Sequence, residues 1–247
     1  MRGALALAVV VACAVPGTAH AGRTFFGWLI GPEVMPERGV ELQQWTWEED
    51  DVGPARDKQT WFQWSAHVGV TDKLELVLPT DAVWAAGHDQ NTFFSFKHYG
   101  IEARYRFVTQ DPVNKPAFAP LLRVGVQRDI QVRDDTRIVA DLVLAYDGNG
   151  YMLEADLGAA LDLTPNDAVT HTLEYHPGLG ASFRVTDELH LGGEAFAELN
   201  PDDTDHSWAA VGPDLSWTHG RFWFSAVMGI GVYHINVAPR IQWGIAF

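Results

Sequence analysis

The chain has 247 residues, with 17 Lys and Arg against 32 Asp and Glu, and a formal net charge of −15. This acidic balance argues against a nucleic-acid partner, because phosphate binding requires a basic face. Hydrophobic residues make up 47% of the chain, yet no run of 18 or more apolar residues follows the first 21. The sequence therefore offers no transmembrane helix. A β-barrel remains a possible membrane fold, because it crosses the membrane with short alternating strands.

The first 21 residues read as a secretory signal peptide. Met1 and Arg2 give a short positive start, residues 4–15 are apolar, and residues 19–21 form an Ala-x-Ala cleavage signature. We expect cleavage before Gly22. The only cysteine, Cys13, lies in this segment, so a chain cleaved there contains no disulfide. Residues 10–13 loosely match a lipoprotein acylation site, which is the alternative for this segment.

Residues 22–38 precede the first predicted strand. Pro32 and Pro36, together with several glycines, make this segment a poor candidate for a membrane strand. We expect it either to lie in the periplasm or to fold into a barrel lumen as a plug.

From Gly39 to the end of the chain, apolar and polar residues alternate in segments of about ten, separated by polar turn clusters. The predicted strands are 39–48, 58–70, 73–84, 92–107, 116–129, 136–146, 151–163, 170–185, 188–199, 207–217, 221–233 and 238–247. An even number of strands that starts and ends on the same side is typical of single-chain bacterial barrels. The sequence therefore predicts an all-β fold, an antiparallel up-and-down transmembrane β-barrel of about twelve strands over residues 39–247.

Alternation alone does not separate a membrane barrel from a soluble sandwich, but the placement of the aromatic residues does. On the apolar face, Tyr105 and Phe118 lie near one end of their strands, and Trp64 and Trp84 lie near the other. Two aromatic belts around an aliphatic middle are typical of membrane barrels, whereas a sandwich core would hold its aromatics centrally.

The polar face would then line the lumen. Its candidate lining residues are Glu102, Arg104, Arg106, Arg123, Asp141, Glu154, Asp156, Glu174, Arg184, Glu194 and Glu198. Acidic residues outnumber basic ones on this face, and charged lumens of this kind bias ion selectivity.

The chain resembles Gram-negative outer-membrane β-barrel proteins in its signal peptide, in its alternating strands with two aromatic belts, and in its terminal strand "IQWGIAF" (241–247). In that class the final aromatic strand is read by the barrel-assembly machinery, and the matching residues are Trp243, Ile245 and Phe247. The stretches "GVTDKLELVLP" (69–79) and "YGIEARYRF" (99–107) are similar to transporter-like barrels grouped with phenol-degradation outer-membrane proteins. The resemblance implies a location in the outer membrane, in contact with its lipid, with both termini periplasmic and with passive transport as the activity.

Three features of the sequence are candidates for chemical sites. Ser65 and His67 share one face of a strand, at the spacing used in reverse order by the outer-membrane phospholipase family, but no oriented base or oxyanion hole is visible in the sequence. The loop 200–206 has several acidic residues without a complete calcium-loop pattern. His171 and His176 point to opposite faces of one strand. We therefore predict no catalytic residue, no metal and no cofactor.

The sequence thus predicts a narrow channel or passive transporter for small polar or cationic solutes, and not an enzyme. The alternatives are a non-conducting structural barrel and a barrel hydrolase acting on lipid or peptide.

Overall fold

The computed structural model describes residues 24–52, 57–86, 92–108, 117–132, 134–165 and 169–247. The predicted signal peptide, residues 1–21, lies outside this described part. The strands are β1 Val40–Val52, β2 Asp57–Thr71, β3 Leu74–Ala86, β4 Thr92–Arg106, β5 Phe118–Asp129, β6 Thr136–Asp147, β7 Tyr151–Pro165, β8 Val169–Arg184, β9 Leu189–Glu198, β10 Trp208–His219, β11 Phe222–Tyr233 and β12 Val237–Ala246.

The strands form one closed barrel in which each strand pairs antiparallel with the next, and β12 pairs with β1. Closure runs from the pair Glu41 and Ala246 to the pair Asp50 and Val237. The Phe247 amide extends it by donating to the Val40 carbonyl at 2.7 Å. The prediction of an all-β, up-and-down barrel of twelve strands is confirmed.

The strand boundaries differ from the predicted ones by a few residues, most at β1. This strand continues to Val52 instead of ending at 48, because its acidic end still pairs with Asp57 and Lys58 of β2. A run of carboxylates that reads as a loop in the sequence is thus held in the ladder by the neighbouring strand.

The barrel wall has an apolar outer face and a polar inner face. Leu179 on the outside is 64% exposed, whereas Glu154 and Asp156 on the inside are buried. Large apolar side chains facing outward are the reverse of a soluble fold and suit a hydrocarbon environment. Among the described residues, no helix is long and apolar enough to cross a membrane.

The two ends of the barrel are named by the chain termini. The terminal end carries Gly39, Phe247 and the turns that follow β2, β6, β8 and β10, and the far end carries the connections that follow β1, β3, β5, β7, β9 and β11. Residues 24–38, here called the plug segment, contain Phe26, Leu29 and Met35, which are almost completely buried. Their partners lie on the inner wall, so the plug segment occupies the lumen.

Candidate functional site: the barrel lumen

The plug segment enters and leaves the lumen at the terminal end. Phe25 packs against His190 at the start of β9, with ring centroids 4.4 Å apart. The segment then rises to Trp28, whose indole Nε1 donates to the Ala238 carbonyl at 2.9 Å. It returns to Arg38, whose amide donates to the Gly69 carbonyl at 2.9 Å. The path is a loop whose tip points toward the far end.

Glu194, in the middle of β9, holds the rising part of this loop. Its carboxylate accepts the amides of Gly27 at 2.6 Å, Trp28 at 2.9 Å and Leu29 at 3.3 Å. Hydrogen bonds to an ionised acceptor are stronger than neutral ones. A single side chain thus satisfies three consecutive backbone donors that are buried inside the barrel.

Two further carboxylates hold the returning part. Asp156 accepts the Ile30 amide at 3.3 Å, and Glu75 accepts the Met35 amide at 2.7 Å. On the opposite wall, the Gln242 amide donates to the Phe26 carbonyl at 2.6 Å. The plug segment is therefore tied to the wall by side-chain groups from several strands.

Glycines in the wall allow the plug side chains to approach the sheet closely. A Cβ at Gly178 would lie 2.2 Å from Leu29 Cδ2, and a Cβ at Gly180 would lie 2.4 Å from Phe26 Cε1. No larger residue fits at either position without moving the plug segment. The glycine-rich stretch of β8 is thus shaped to the plug.

The tip of the plug ends in an aromatic cluster. Trp28 stacks on Phe196 with ring centroids 4.7 Å apart and meets Trp208 edge-on at 5.3 Å. The Arg240 guanidinium lies 4.8 Å from the Trp28 ring centroid and 4.4 Å from that of Trp45. Such cation–π contacts gain strength in a desolvated site. The tip is therefore fixed by aromatic packing in addition to the Glu194 carboxylate.

Two arginines bridge carboxylates across neighbouring strands. Arg123 donates to both oxygens of Glu102 at 2.8 Å and to Asp141 at 3.0 Å. Arg137, nearer the far end, donates at 2.6 Å to both Asp162 and Glu174. Geometry of this kind, with one guanidinium serving two acceptors, fixes the side chains inside the lumen.

Other inner-wall carboxylates lack such partners. Both carboxylate oxygens of Glu154 and of Asp214 are buried and accept no hydrogen bond from the described residues. The hydroxyl of Ser182, between them on β8, is likewise unpaired among the described groups. This side of the lumen therefore carries buried carboxyl groups whose hydrogen-bonding capacity is not used by the described residues.

Ser65, His67 and Glu75 form a hydrogen-bonded line near the terminal end. Ser65 Oγ lies 2.9 Å from His67 Nε2, and His67 Nδ1 lies 2.8 Å from Glu75 Oε1. Glu75 is the orienting group that the sequence did not reveal, because it comes from the next strand. Its second oxygen is occupied by Met35, and Ser65 is 7% exposed. These hydrogen bonds, together with the one from the Met35 amide to Glu75, connect the plug segment to the barrel wall.

The structure places most of the sequence-predicted lumen candidates on the inner wall. Glu102, Arg104, Arg106, Asp141, Glu154, Asp156 and Glu194 are buried there, and Arg123, Glu174 and Glu198 are half-buried. Arg184 differs, since it is exposed at the terminal end of β8. Trp243 and Ile245 lie on the outer face of β12, where Trp243 stacks with Phe222 at 6.3 Å.

Several residues that shape the lumen were missed from the sequence. Glu75, Arg137, Asp214 and Arg240 lie on the polar, inward-facing side of their alternating strands, so alternation could have found them. The position of Trp28 at the tip of the plug could not be predicted from strand periodicity, because Trp28 lies before the first strand.

Comparison with known families and with curated proteins finds no match. Solved structures do resemble the chain. An outer membrane channel from Pseudomonas putida F1 is 13% identical with a TM-score of 0.58, over 87% of this chain and 97% of that one. The translocator domain of the autotransporter NalP from Neisseria meningitidis is 13% identical with a TM-score of 0.56. The match covers 100% of this chain and 95% of that one. The NanC porin is 9% identical with a TM-score of 0.53, and the match covers 84% of this chain and 98% of that one. The predicted resemblance to outer-membrane β-barrels is thus confirmed at the level of the fold.

Proposed function

We propose that this chain is an outer-membrane channel for small polar or cationic solutes, with both termini in the periplasm and with the plug segment controlling its conductance. The observation that carries the proposal is the charge of the inner wall. Among the described residues, nine carboxyl side chains are buried against three guanidinium groups. The carboxyl set is Glu41, Glu75, Asp81, Glu102, Asp141, Glu154, Asp156, Glu194 and Asp214, and the guanidinium set is Arg104, Arg106 and Arg240.

An acidic wall favours cations over anions. Rings of Asp and Glu side chains select cations in channels, and a low-dielectric wall strengthens their field. Glu154 and Asp214 add unoccupied acceptors to this wall, since no described residue donates a hydrogen bond to them. A cation passing that side of the lumen would find acceptors that are not already occupied.

The plug segment supplies the means of opening and closing. Barrels of eight strands are filled by their own side chains, and barrels of sixteen enclose an aqueous channel. A twelve-stranded barrel lies between, so a segment of this length decides how much of its lumen is open. The hydrogen bonds and aromatic contacts that hold residues 24–38 are non-covalent and reversible.

Planar-bilayer recording of the refolded full chain tests the proposal. We expect brief conductance steps with a reversal potential that shows cation preference in a KCl gradient. A variant with a loosened plug, Gly27→Val, should open more often, because a Cβ at Gly27 would lie 2.7 Å from Val227 Cβ. Gly193→Ala is the matched control, since its Cβ would meet only the Gly212 carbonyl oxygen, at 3.4 Å. Silence of the wild type and of Gly27→Val, or anion preference in both, would refute the proposal.

A non-conducting structural barrel is the second candidate. The bridges made by Arg123 and Arg137 favour this candidate, because they connect neighbouring strands across the inner wall, as expected for a lumen that is filled by its own side chains. This candidate predicts that all variants stay silent and that loss of either arginine lowers stability alone.

A further inference from the structure

A cluster of potential metal ligands lies in the far half of the lumen, beyond the tip of the plug. Glu174 and His176 are on β8, and Glu198 is on β9. Their ligand atoms all lie within 4.8 Å of one another. A bridge between Tyr175 and Leu199 fixes the register of the two strands here, so that the three side chains share the inner face.

Two of the three side chains are partly exposed. The side chains of Glu174 and His176 are 18% and 20% exposed, in contrast to the buried carboxylates around the plug. The cluster is thus more open than the carboxylate sites around the plug segment. The described part of the chain holds no other cluster of at least three such ligands.

The imidazole of His176 points into this cluster and faces Glu174. Its Nε2 atom lies 3.6 Å from Glu174 Oε2, which is an ion-pair distance but is too long for a hydrogen bond. A contact of this length leaves the hydrogen-bonding capacity of the ring nitrogen incompletely used. A cation ligand would satisfy it.

Arg137 prepares Glu174 for this function. Its guanidinium donates to Glu174 Oε2 at 2.6 Å and to Asp162 at 2.6 Å. The bond holds the Glu174 carboxylate in place and occupies one of its oxygens, leaving Oε1 for an ion. Ligating carboxylates are commonly oriented by such an outer hydrogen bond.

We propose that Glu174, His176 and Glu198 bind a divalent transition-metal cation such as Zn²⁺ or Mn²⁺. One imidazole nitrogen with two carboxylate oxygens matches these ions, whereas Ca²⁺ and Mg²⁺ prefer ligand sets made of oxygen alone. Water would complete the coordination on the side that faces the lumen. The site was not predicted from the sequence, because its third ligand comes from the neighbouring strand.

Ion binding and channel activity are measured in different experiments, so the two proposals can fail separately. Titration of the refolded full chain with ZnCl₂ by calorimetry, and with CoCl₂ by visible absorption, measures it directly. We expect one Zn²⁺ per chain. His176→Gln and Glu198→Gln should each weaken binding at least tenfold and alter the Co²⁺ absorption bands.

His171→Gln is the matched control, because His171 lies on the same strand but is exposed on the outer face. It should bind Zn²⁺ as the wild type does. Heat-modifiable electrophoretic mobility would establish that each variant is folded. The proposal is overturned if the folded wild type binds no Zn²⁺, if His176→Gln binds equally well, or if His171→Gln alone removes binding.

Discussion

Replacement of Glu194 by glutamine should release the rising part of the plug while leaving the barrel wall intact. The carboxylate accepts three backbone amides of the plug, two of them at 2.6 and 2.9 Å. Glutamine has nearly the same shape, but its NH₂ group would face an amide donor instead of accepting from it. At least one hydrogen bond is then lost and the others become neutral ones.

The size of the effect follows from these bonds. A hydrogen bond to a charged group contributes about 1.5–3 kcal/mol and a neutral one about 0.5–1.5 kcal/mol. Neutral glutamine is also less costly to bury, which offsets part of the loss. We estimate a net destabilisation of the docked plug of about 2 kcal/mol, which is roughly a 30-fold shift in the docking equilibrium.

Hydrogen exchange measured by mass spectrometry provides the assay. Amides 27–29 should lose roughly 30-fold in protection in Glu194→Gln, with the strand amides unchanged. Glu188→Gln is the control, since this exposed carboxylate begins the same hairpin and bonds only outside the lumen, to His219 at 2.7 Å. Unchanged protection of the plug, or an equal loss throughout the barrel, would refute the reasoning.

Three further outcomes are expected. Arg123→Ala should lower the free energy of unfolding by about 3–5 kcal/mol, measured by urea denaturation in detergent, because two carboxylates lose their shared partner. The pKa of Glu188 should lie below its usual value near 4.5, because His219 donates a hydrogen bond to it. Carboxyl NMR should show this pKa rising in His219→Gln, and any stability from the pair is present above the usual pKa and lost as the pH falls through the lowered one. Phe247→Ala should reduce the amount of folded barrel in outer-membrane fractions, whereas Ile241→Ala on the same face should not.

Much of the barrel could be predicted from the sequence because its causes are local. Strand periodicity places one face of each strand in lipid, and the turn residues mark where each strand reverses. Closure of β12 on β1 followed from the even strand count and from the alternation that persists through Ile245. These features can be recognised without knowing which side chains are in contact in the folded protein.

The contents of the lumen were less predictable because they depend on pairs that are distant in the chain. Glu194 meets Gly27, which is 167 residues away. Glu75 meets Met35, and the Arg240 guanidinium meets Trp28, across strands that the sequence does not order in space. Alternation showed that such groups face inward, but only the closed barrel shows which of them hold the plug.

The central claim, that residues 24–38 gate the lumen, is tested most directly by a reversible lock. A Cβ at Gly178 would lie 2.2 Å from Leu29 Cδ2, so the Cβ atoms of the two positions lie within about 5 Å of each other, which is near the separation that a disulfide requires. In single-channel recordings of Leu29→Cys/Gly178→Cys, oxidation should suppress the conductance steps and a reductant should restore them. Equal conductance in the oxidised and reduced protein, with the disulfide verified by mass, would contradict the account.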